Sequence, residues 1–380
     1  MKRTFLRFLA ATGLLAIGIS AHAQLVIDPN YTTPNTAEFP GSSPIASLPN
    51  AATIEGTINE AITQVTGIIS SPLTFNIGFV SDPNISLGSS AGTGNIDLPY
   101  SQYLSYLQAN PNKSAADTIA LASLPAGPGT GINNNATNIS FGGALLDAMG
   151  DTTDGNNLIS GNSGFAGTIA LNMSVLNTSR NNYDNTKYDL VSTVTHEVNE
   201  ILGVGGPGST LTANGGATDI GPMDLFRYGA PGVRSYSNSA NVSSYFSIDG
   251  GKTNLVHFNQ DSNGDFSDWG DGVTPADGRG NKPPQVQDAF GDTTAKPDMG
   301  KNEAIALDVA GWKMTADGLA LEAVPEPSSY ALLLTGTAFL TLLAISRRCA
   351  YEPVHYGTGN FGYASNKCRA SDVSEVRKWS

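Results

Sequence analysis

Cysteine and histidine are scarce in this sequence, and their scarcity limits the metal sites that the chain can form. Only two of its 380 residues are cysteines, Cys349 and Cys368, and both lie near the C-terminus. Residues 24–323 therefore offer neither a disulfide nor a thiolate ligand. The same stretch contains only two histidines, His196 and His257, which excludes a site with three histidine ligands.

Positive charge is scarce as well. Residues 24–323 contain 11 Lys and Arg but 29 Asp and Glu. A surface with this negative excess repels phosphate groups, so we expect no nucleic acid partner.

Glycine is abundant, with 43 residues in the chain, and 40% of all residues are hydrophobic. This composition is typical of a loop-rich globular protein that has enough apolar residues for a core.

Residues 1–23 have the pattern of a secretory signal peptide. Three basic residues precede an apolar stretch, and Ala-His-Ala at 21–23 fits a signal-peptidase cleavage site. The alternative, a short buried helix, does not require this combination. We therefore predict an exported protein whose mature chain begins at Gln24.

A second targeting pattern occupies residues 324–348. Pro-Glu-Pro at 325–327 is followed by an apolar run at 330–345 and then by two arginines. This order resembles the PEP-CTERM sorting signal of Gram-negative bacteria. The resemblance implies transient anchoring in the inner membrane through a transmembrane segment at 330–345, removal by a sorting protease, and a final location in the extracellular or cell-surface matrix. Residues 349–380 depart from it, because such signals usually end soon after the arginines.

Between the two signals, residues 24–50 are rich in Pro, Ser and Asn and predict an extended lead-in, and residues 51–322 predict one domain. Apolar spacing predicts helices and strands in alternation, which indicates an α/β fold of the α+β type. The predicted helices lie near 51–69, 100–110, 114–125, 189–203 and 300–312. The predicted strands lie near 73–80, 167–176, 244–250 and 254–260.

The stretch Thr-His-Glu-Val-Asn-Glu-Ile-Leu-Gly at 195–203 has the pattern that most clearly indicates a metal-binding or catalytic site. On a helix, His196 and Glu200 project from one face and can bind one ion, with Glu197 beside them. A metal held by two or three side chains lowers the pKa of a bound water, and an adjacent carboxylate takes the proton of that water. The alternative is that these residues are only the solvated face of an amphipathic helix.

This stretch matches the zincin motif His-Glu-x-x-His-x-x-Gly at every defined position except the second histidine. Together with strings such as PMDLFRYGAPGVRSY and EAIALDVAGW, it resembles a family of exported bacterial zincin-like metalloproteases, related to metzincins, in which that histidine is Glu. The resemblance covers roughly residues 50–315. It implies a zincin-like domain with a twisted mixed sheet and an active-site helix, zinc-dependent cleavage of protein or peptide substrates, His196 and Glu200 as ligands, and Glu197 as general base.

The third ligand is less clearly marked. The metzincin pattern would place it at Gly206, which has no side chain that can bind a metal. Asp219 and Asp224 follow, and we favour Asp224 because it lies beside Met223, where a metzincin-like turn would run under the metal. The alternative for Asp224 is a carboxylate that caps a turn.

Two further residues have side chains that could bind a metal or assist catalysis. His257 lies on an alternating strand, which favours a structural or surface role. Tyr228 is a candidate for polarising the substrate carbonyl.

One histidine and two carboxylates nearly cancel the charge of a divalent ion, so Mn²⁺ and Ca²⁺ compete with the expected Zn²⁺. A second cation site is a candidate at 261–272, where four side chains offer oxygens that suit Ca²⁺, namely Asp261, Asn263, Asp265 and Asp268. The alternative there is an Asx-rich turn.

These observations predict an exported metal-dependent endopeptidase that hydrolyses peptide bonds through a metal-activated water. Two alternatives remain at this stage. One is a non-catalytic matrix or surface protein that keeps the zincin scaffold, and the other is a calcium-dependent adhesion module.

Overall fold

The computed structural model describes residues 24–131, 137–206, 210–211, 217–218, 220–270 and 281–323. The predicted signal peptide, the sorting signal with its transmembrane segment, the C-terminal tail and Asp219 lie outside these residues. Among the described residues, no helix is both long and apolar enough to cross a membrane.

The described residues form a mixed α and β structure. The helices are α1 (Ala51–Ile68), α2 (Tyr100–Ala109), α3 (Ala115–Ser123), α4 (Gly143–Met149), α5 (Thr152–Gly161), α6 (Leu190–Ile201), α7 (Lys301–Ala310) and α8 (Ala316–Glu322). The first seven strands are β1 (Val26–Asn30), β2 (Ser43–Pro44), β3 (Thr74–Ser81), β4 (Gly88–Gly92), β5 (Ile96–Pro99), β6 (Asn138–Phe141) and β7 (Gly167–Leu171). The short strands that follow are β8 (Leu176–Asn177), β9 (Tyr188–Asp189), β10 (Thr210–Leu211), β11 (Ala217–Thr218), β12 (Arg227–Ala230), β13 (Val233–Arg234), β14 (Tyr245–Phe246), β15 (Val256–Phe258) and β16 (Trp269–Gly270).

The first sheet is mixed, with the order β1-β3-β7-β4 and β2 paired to β3. β1 and β7 run parallel to β3, whereas β4 runs antiparallel to β7. All five residues of β7 are buried, because both faces of this central strand are covered. The helices predicted near 51–69 and 189–203 are confirmed as α1 and α6, and α6 packs against α1, β4 and β7.

Three expectations from the sequence change. Residues 24–50 are not only a lead-in, because β1 pairs with β3 along its whole length. The predicted strand at 167–176 is shorter, because β7 ends at Leu171, and the edge strand beside it is β4, whose Gly-Ser-Ser-Ala-Gly sequence has no apolar alternation to predict it. α4 and α5 lie between the predicted helix at 114–125 and the predicted strand at 167–176, where the sequence predicts neither a helix nor a strand.

A second sheet has the antiparallel order β13-β12-β14-β15-β16. Its centre is aromatic: the ring of Trp269 lies 5.5 Å from that of Phe246 and 5.2 Å from that of Phe258. Trp269 is fully buried and fixes the position of Asp268, the residue before it. This packing brings Asp268 to the C-terminal end of α6, far from it in sequence.

Three carboxyl groups meet where α3, α7 and α8 pack together. Burial, followed by the charges of Asp117 and Glu322, raises the pKa of Asp308 to about 8. Burial and the charge of Asp117 raise the pKa of Glu322 to about 7. The folded protein therefore binds more protons here than the unfolded chain does.

We expect the free energy of unfolding to fall as the pH rises from about 5 to about 8, because this proton binding is lost through that range. In Glu322→Gln, the fall in the free energy of unfolding between pH 5 and pH 8 should be smaller by roughly 1 kcal/mol, because the amide does not titrate. Urea unfolding at several pH values measures it, with Glu60→Gln, an exposed site on α1, as control. An unchanged slope in Glu322→Gln would contradict the assignment.

Candidate metal centre

The helix α6 begins and ends at well-defined caps, which fix the positions of its polar residues. Asp189 is the N-cap, and its side chain accepts a hydrogen bond from Ser192 N at 3.0 Å. At the other end, Val204 N donates to Asn199 O and Gly203 N donates to Glu200 O, both at 2.9 Å, in a Schellman arrangement. Gly203 has a φ of 91°, so the predicted helix stop is confirmed.

Three side chains at this end of α6 form a group that can hold a metal ion: His196, Glu200 and Asp268. His196 Nε2 lies 3.2 Å from Glu200 Oε1 and 3.3 Å from Asp268 Oδ2. The three ligand atoms all lie within 4.8 Å of one another. Ligand atoms about 2.0–2.2 Å from a tetrahedral zinc lie roughly 3.3 Å apart, which matches the two distances from His196 Nε2.

The orientation of His196 also fits a metal ligand. Its Nδ1 lies 3.0 Å from the carbonyl oxygen of Val286, which fixes the ring and makes Nδ1 the donor. Nε2 is then free to face the two carboxylates. Burial alone lowers the pKa of His196, but the charges and hydrogen bonds of Asp268 and Glu200 raise it well above its usual value. An ion pair with a doubly protonated His196 is therefore the arrangement that competes with a metal.

Asp268 reaches the group because the chain turns back sharply after α6. Gly205 and Gly206 both have positive φ values, of 89° and 77°. Gly206 N donates to Asp268 Oδ1 at 2.8 Å, and Gln287 Nε2 donates to the same oxygen at 2.9 Å. The other oxygen, Oδ2, remains toward His196. Gly206, which cannot itself be a ligand, thus holds the third carboxylate through its backbone.

The third carboxylate is consequently Asp268 and not Asp224, which is a correction to the expected ligand set. Asp224 does not join the group within the described part of the chain. It lies in a 3-10 helix, Pro222–Phe226, where its Oδ2 accepts a hydrogen bond from Gly221 N at 2.8 Å, and its charge acts on the buried Arg227. Its sequence position beside Met223 was misleading, because this carboxylate caps a turn.

The loop at 261–268 does not gather its oxygens around one cation. Asp261 Oδ1 accepts hydrogen bonds from Asn263 N at 2.9 Å and from its Nδ2 at 2.8 Å, as in an Asx turn. Asp268 faces His196, and Asp261 and Asp265 do not join that group within the described residues. The sequence therefore marks Asp268 as a candidate cation ligand, but for a calcium site in its own loop and not for the group at His196.

The other two candidate residues lie away from the group. His257 makes ring contacts within the second sheet, with Nε2 2.8 Å from Asn254 Nδ2 and Nδ1 3.1 Å from Ser243 Oγ. These contacts fit the expected structural role. Tyr228 is buried beneath Gly251 and Arg234 and is not among the residues that line the cleft described below.

Glu197 lies beside the metal-binding group and is almost completely buried. Burial, followed by the charge of Glu200, raises the pKa of Glu197 well above its usual value. Glu200 is oriented from its other side, since Ser90 Oγ of β4 donates to its Oε2 at 2.6 Å. For Glu200, burial alone raises the pKa, but His196 lowers it. The two glutamates thus differ: Glu200 favours its charged form, and Glu197 has a high proton affinity.

An open cleft of about 380 Å³ exposes this group. Residues of the edge strand β4, of α6 and of the segments 263–268 and 284–292 line it. Glu197, His196, Glu200 and Asp268 all line it. A substrate in the cleft can therefore reach the metal-binding side chains and Glu197 together.

Gly88 of β4 is needed to make room for Glu197. A Cβ at this position would overlap Glu197 Oε1 and lie 2.8 Å from Thr193 Cγ2. We expect Gly88→Ala to displace the Glu197 carboxylate and to lower the rate of the metal-dependent hydrolysis predicted from the sequence by roughly 100-fold, while the group keeps its affinity for a metal. The control is Gly92→Ala on the same strand, where the nearest atom to a Cβ is 4.0 Å away. Equal activity of the two variants would contradict this role of Gly88.

Comparison with known proteins finds no matching family model, no matching curated protein and no matching solved structure.

Proposed function

We propose that this protein is an exported, zincin-like metallopeptidase that hydrolyses peptide bonds in the cleft beside α6. His196, Glu200 and Asp268 hold a divalent ion, which we expect to be zinc, and Glu197 is the general base. The observation that carries the proposal is the combination of a three-ligand group with the buried Glu197 carboxylate beside it in one open cleft. Export rests on residues 1–23 and 324–348 and stays a prediction.

The chemistry is divided between the ion and the protein side chains. When bound, the ion lowers the pKa of water and polarises a carbonyl group. Glu197 takes a proton from a water molecule as the water oxygen attacks the peptide carbonyl carbon. It returns that proton to the leaving amine nitrogen as the C–N bond breaks.

The edge strand β4 supports a peptide as the substrate. Within the described residues it pairs only with β7, so its other side offers backbone groups to an extended chain. Its residues are small, Gly-Ser-Ser-Ala-Gly, so this strand has no bulky side chain to obstruct a bound peptide. A peptide along β4 would pass over Glu197 and the metal-binding group.

The charge of the cleft predicts a substrate preference. Asp265, Asp288 and Asp292 line the cleft, and the lining includes no Lys or Arg among the described residues. Burial raises the pKa of Asp265 to about 6 and that of Asp288 to about 7, so the negative charge of the cleft is greatest above pH 7. We expect peptides with Lys beside the cleaved bond to be hydrolysed about 10-fold faster than matched peptides with Glu, and the ratio to fall at high salt. Rates on a peptide pair that differs only at that residue measure this. A preference for Glu would contradict it.

The direct test of the function combines metal content with proteolysis. Purified protein is analysed for bound metals and assayed on casein before chelation, after chelation and after zinc is restored. One bound zinc per chain and activity that follows the zinc support the proposal. Casein hydrolysis that persists in metal-free protein contradicts it, and bound zinc without hydrolysis of any peptide favours the non-catalytic alternative.

A further inference from the structure

Glu303 is a fully buried carboxylate that the proposed chemistry does not use. It lies in the first turn of α7, with no exposed surface. Burying a carboxylate is unfavourable unless its hydrogen bonds compensate for the lost water. The groups that bind Glu303 therefore indicate what this residue does for the fold.

Two hydrogen bonds join Glu303 to residues around Asp268. Its Oε1 accepts from the indole Nε1 of Trp269 at 3.1 Å and from the backbone N of Gln287 at 3.2 Å. Trp269 follows Asp268 in the chain, and Gln287 Nε2 donates to Asp268 Oδ1. One buried carboxylate thus fixes both the residue after the third ligand and a residue that donates to it.

The segment 286–287 links these contacts to α6. Val286 O fixes the ring of His196, and the side-chain amide of Gln287 joins Asp268 to Asn199 of α6, whose Nδ2 lies 3.2 Å from Gln287 Oε1. The backbone of the same segment pairs with β16, since Trp269 N donates to Gln287 O at 2.8 Å. Two of the three ligands, His196 and Asp268, are therefore oriented by two adjacent residues.

We propose that Gln287 and Glu303 are positioning residues for the metal centre. Glu303 holds the segment 286–287 and Trp269, and this segment holds His196 and Asp268 at the spacing that one ion requires. The inference rests on the proposed function, because it concerns the same metal site. It adds that the affinity for metal is set by α7, which contributes no ligand.

Variants separate hydrogen bonding from charge and from bulk. Gln287→Ala removes one of the two donors to Asp268 Oδ1. Glu303→Leu introduces an apolar side chain of similar size that has no hydrogen-bond acceptor. Glu303→Gln keeps an oxygen that accepts from Trp269 and Gln287. Thr57→Val is the control for lost stability, because Thr57 is a buried residue of α1 that donates to Thr178 O at 2.6 Å.

The test is the zinc affinity of each folded variant, measured by competition with a chelating dye, beside its melting temperature without metal. We expect Gln287→Ala and Glu303→Leu to bind zinc about 10-fold to 100-fold more weakly than wild type, and Glu303→Gln and Thr57→Val to remain within about 3-fold. If Glu303→Leu does not fold, Gln287→Ala decides the result.

Two outcomes overturn the inference, and they are distinguishable. In the first outcome, wild type binds zinc, and Gln287→Ala and Glu303→Leu bind it with the same affinity but melt at a lower temperature. This result shows that Gln287 and Glu303 support only the fold. Wild type that binds no zinc removes the metal site itself and, with it, the proposed function.

Discussion

Glu197→Gln is expected to lower peptidase activity by between about 100-fold and 10,000-fold while the protein keeps its zinc. The amide cannot take a proton from water, but it has nearly the size of the carboxylate. It can also donate a hydrogen bond to Glu200, the neighbour with which Glu197 interacts. The metal ligands are therefore undisturbed, and the loss should fall on the turnover rate.

Three measurements belong to this prediction: the rate on a fixed peptide, the zinc content and the melting temperature. Glu60→Gln, an exposed change of the same type on α1, controls for the substitution itself. Activity that survives in Glu197→Gln would rule out Glu197 as the general base. Activity and zinc lost together would instead indicate that Glu197 supports the metal site.

The second large effect distinguishes the two aspartates that compete for the role of third ligand. Asp268→Asn is expected to reduce zinc affinity by more than about 100-fold, because an amide nitrogen can take the place of Oδ2 and cannot bind the ion. Asn keeps an oxygen that accepts from Gly206 N and Gln287 Nε2, so the fold should remain.

Asp224→Asn is the matched control for this change. It is also a buried aspartate, but it caps the 3-10 helix at Gly221. We expect it to keep the zinc affinity of wild type and to lower the free energy of unfolding by about 1 kcal/mol, because Arg227 loses a nearby negative charge. Zinc titration of both variants decides between them, and weak binding in Asp224→Asn with normal binding in Asp268→Asn would reverse the assignment.

The local part of this site is predictable from the sequence. His196, Glu197 and Glu200 lie within one helix, and helical spacing alone places them together. The stop at Gly203 follows from the same local rules, and the structure has the glycine in a left-handed conformation there. The apolar stripes of α1 and α6 predict their buried faces for the same reason.

The long-range part is not predictable in this way. Asp268 reaches His196 only because the aromatic residues of the second sheet pack around Trp269 and because Gly206 turns the chain back toward it. Neither contact has a periodic signal. The edge strand β4 was also missed, since its pairing is made by backbone groups and its small residues have no strand pattern.

The most direct test of the metal centre is anomalous X-ray diffraction at the zinc absorption edge, recorded from crystals of the zinc-loaded protein. We predict one strong peak beside α6, bonded at about 2.0–2.2 Å to His196 Nε2 and to carboxylate oxygens of Glu200 and Asp268. A zinc peak bound without Asp268, or no peak beside His196, would contradict the metal centre proposed here.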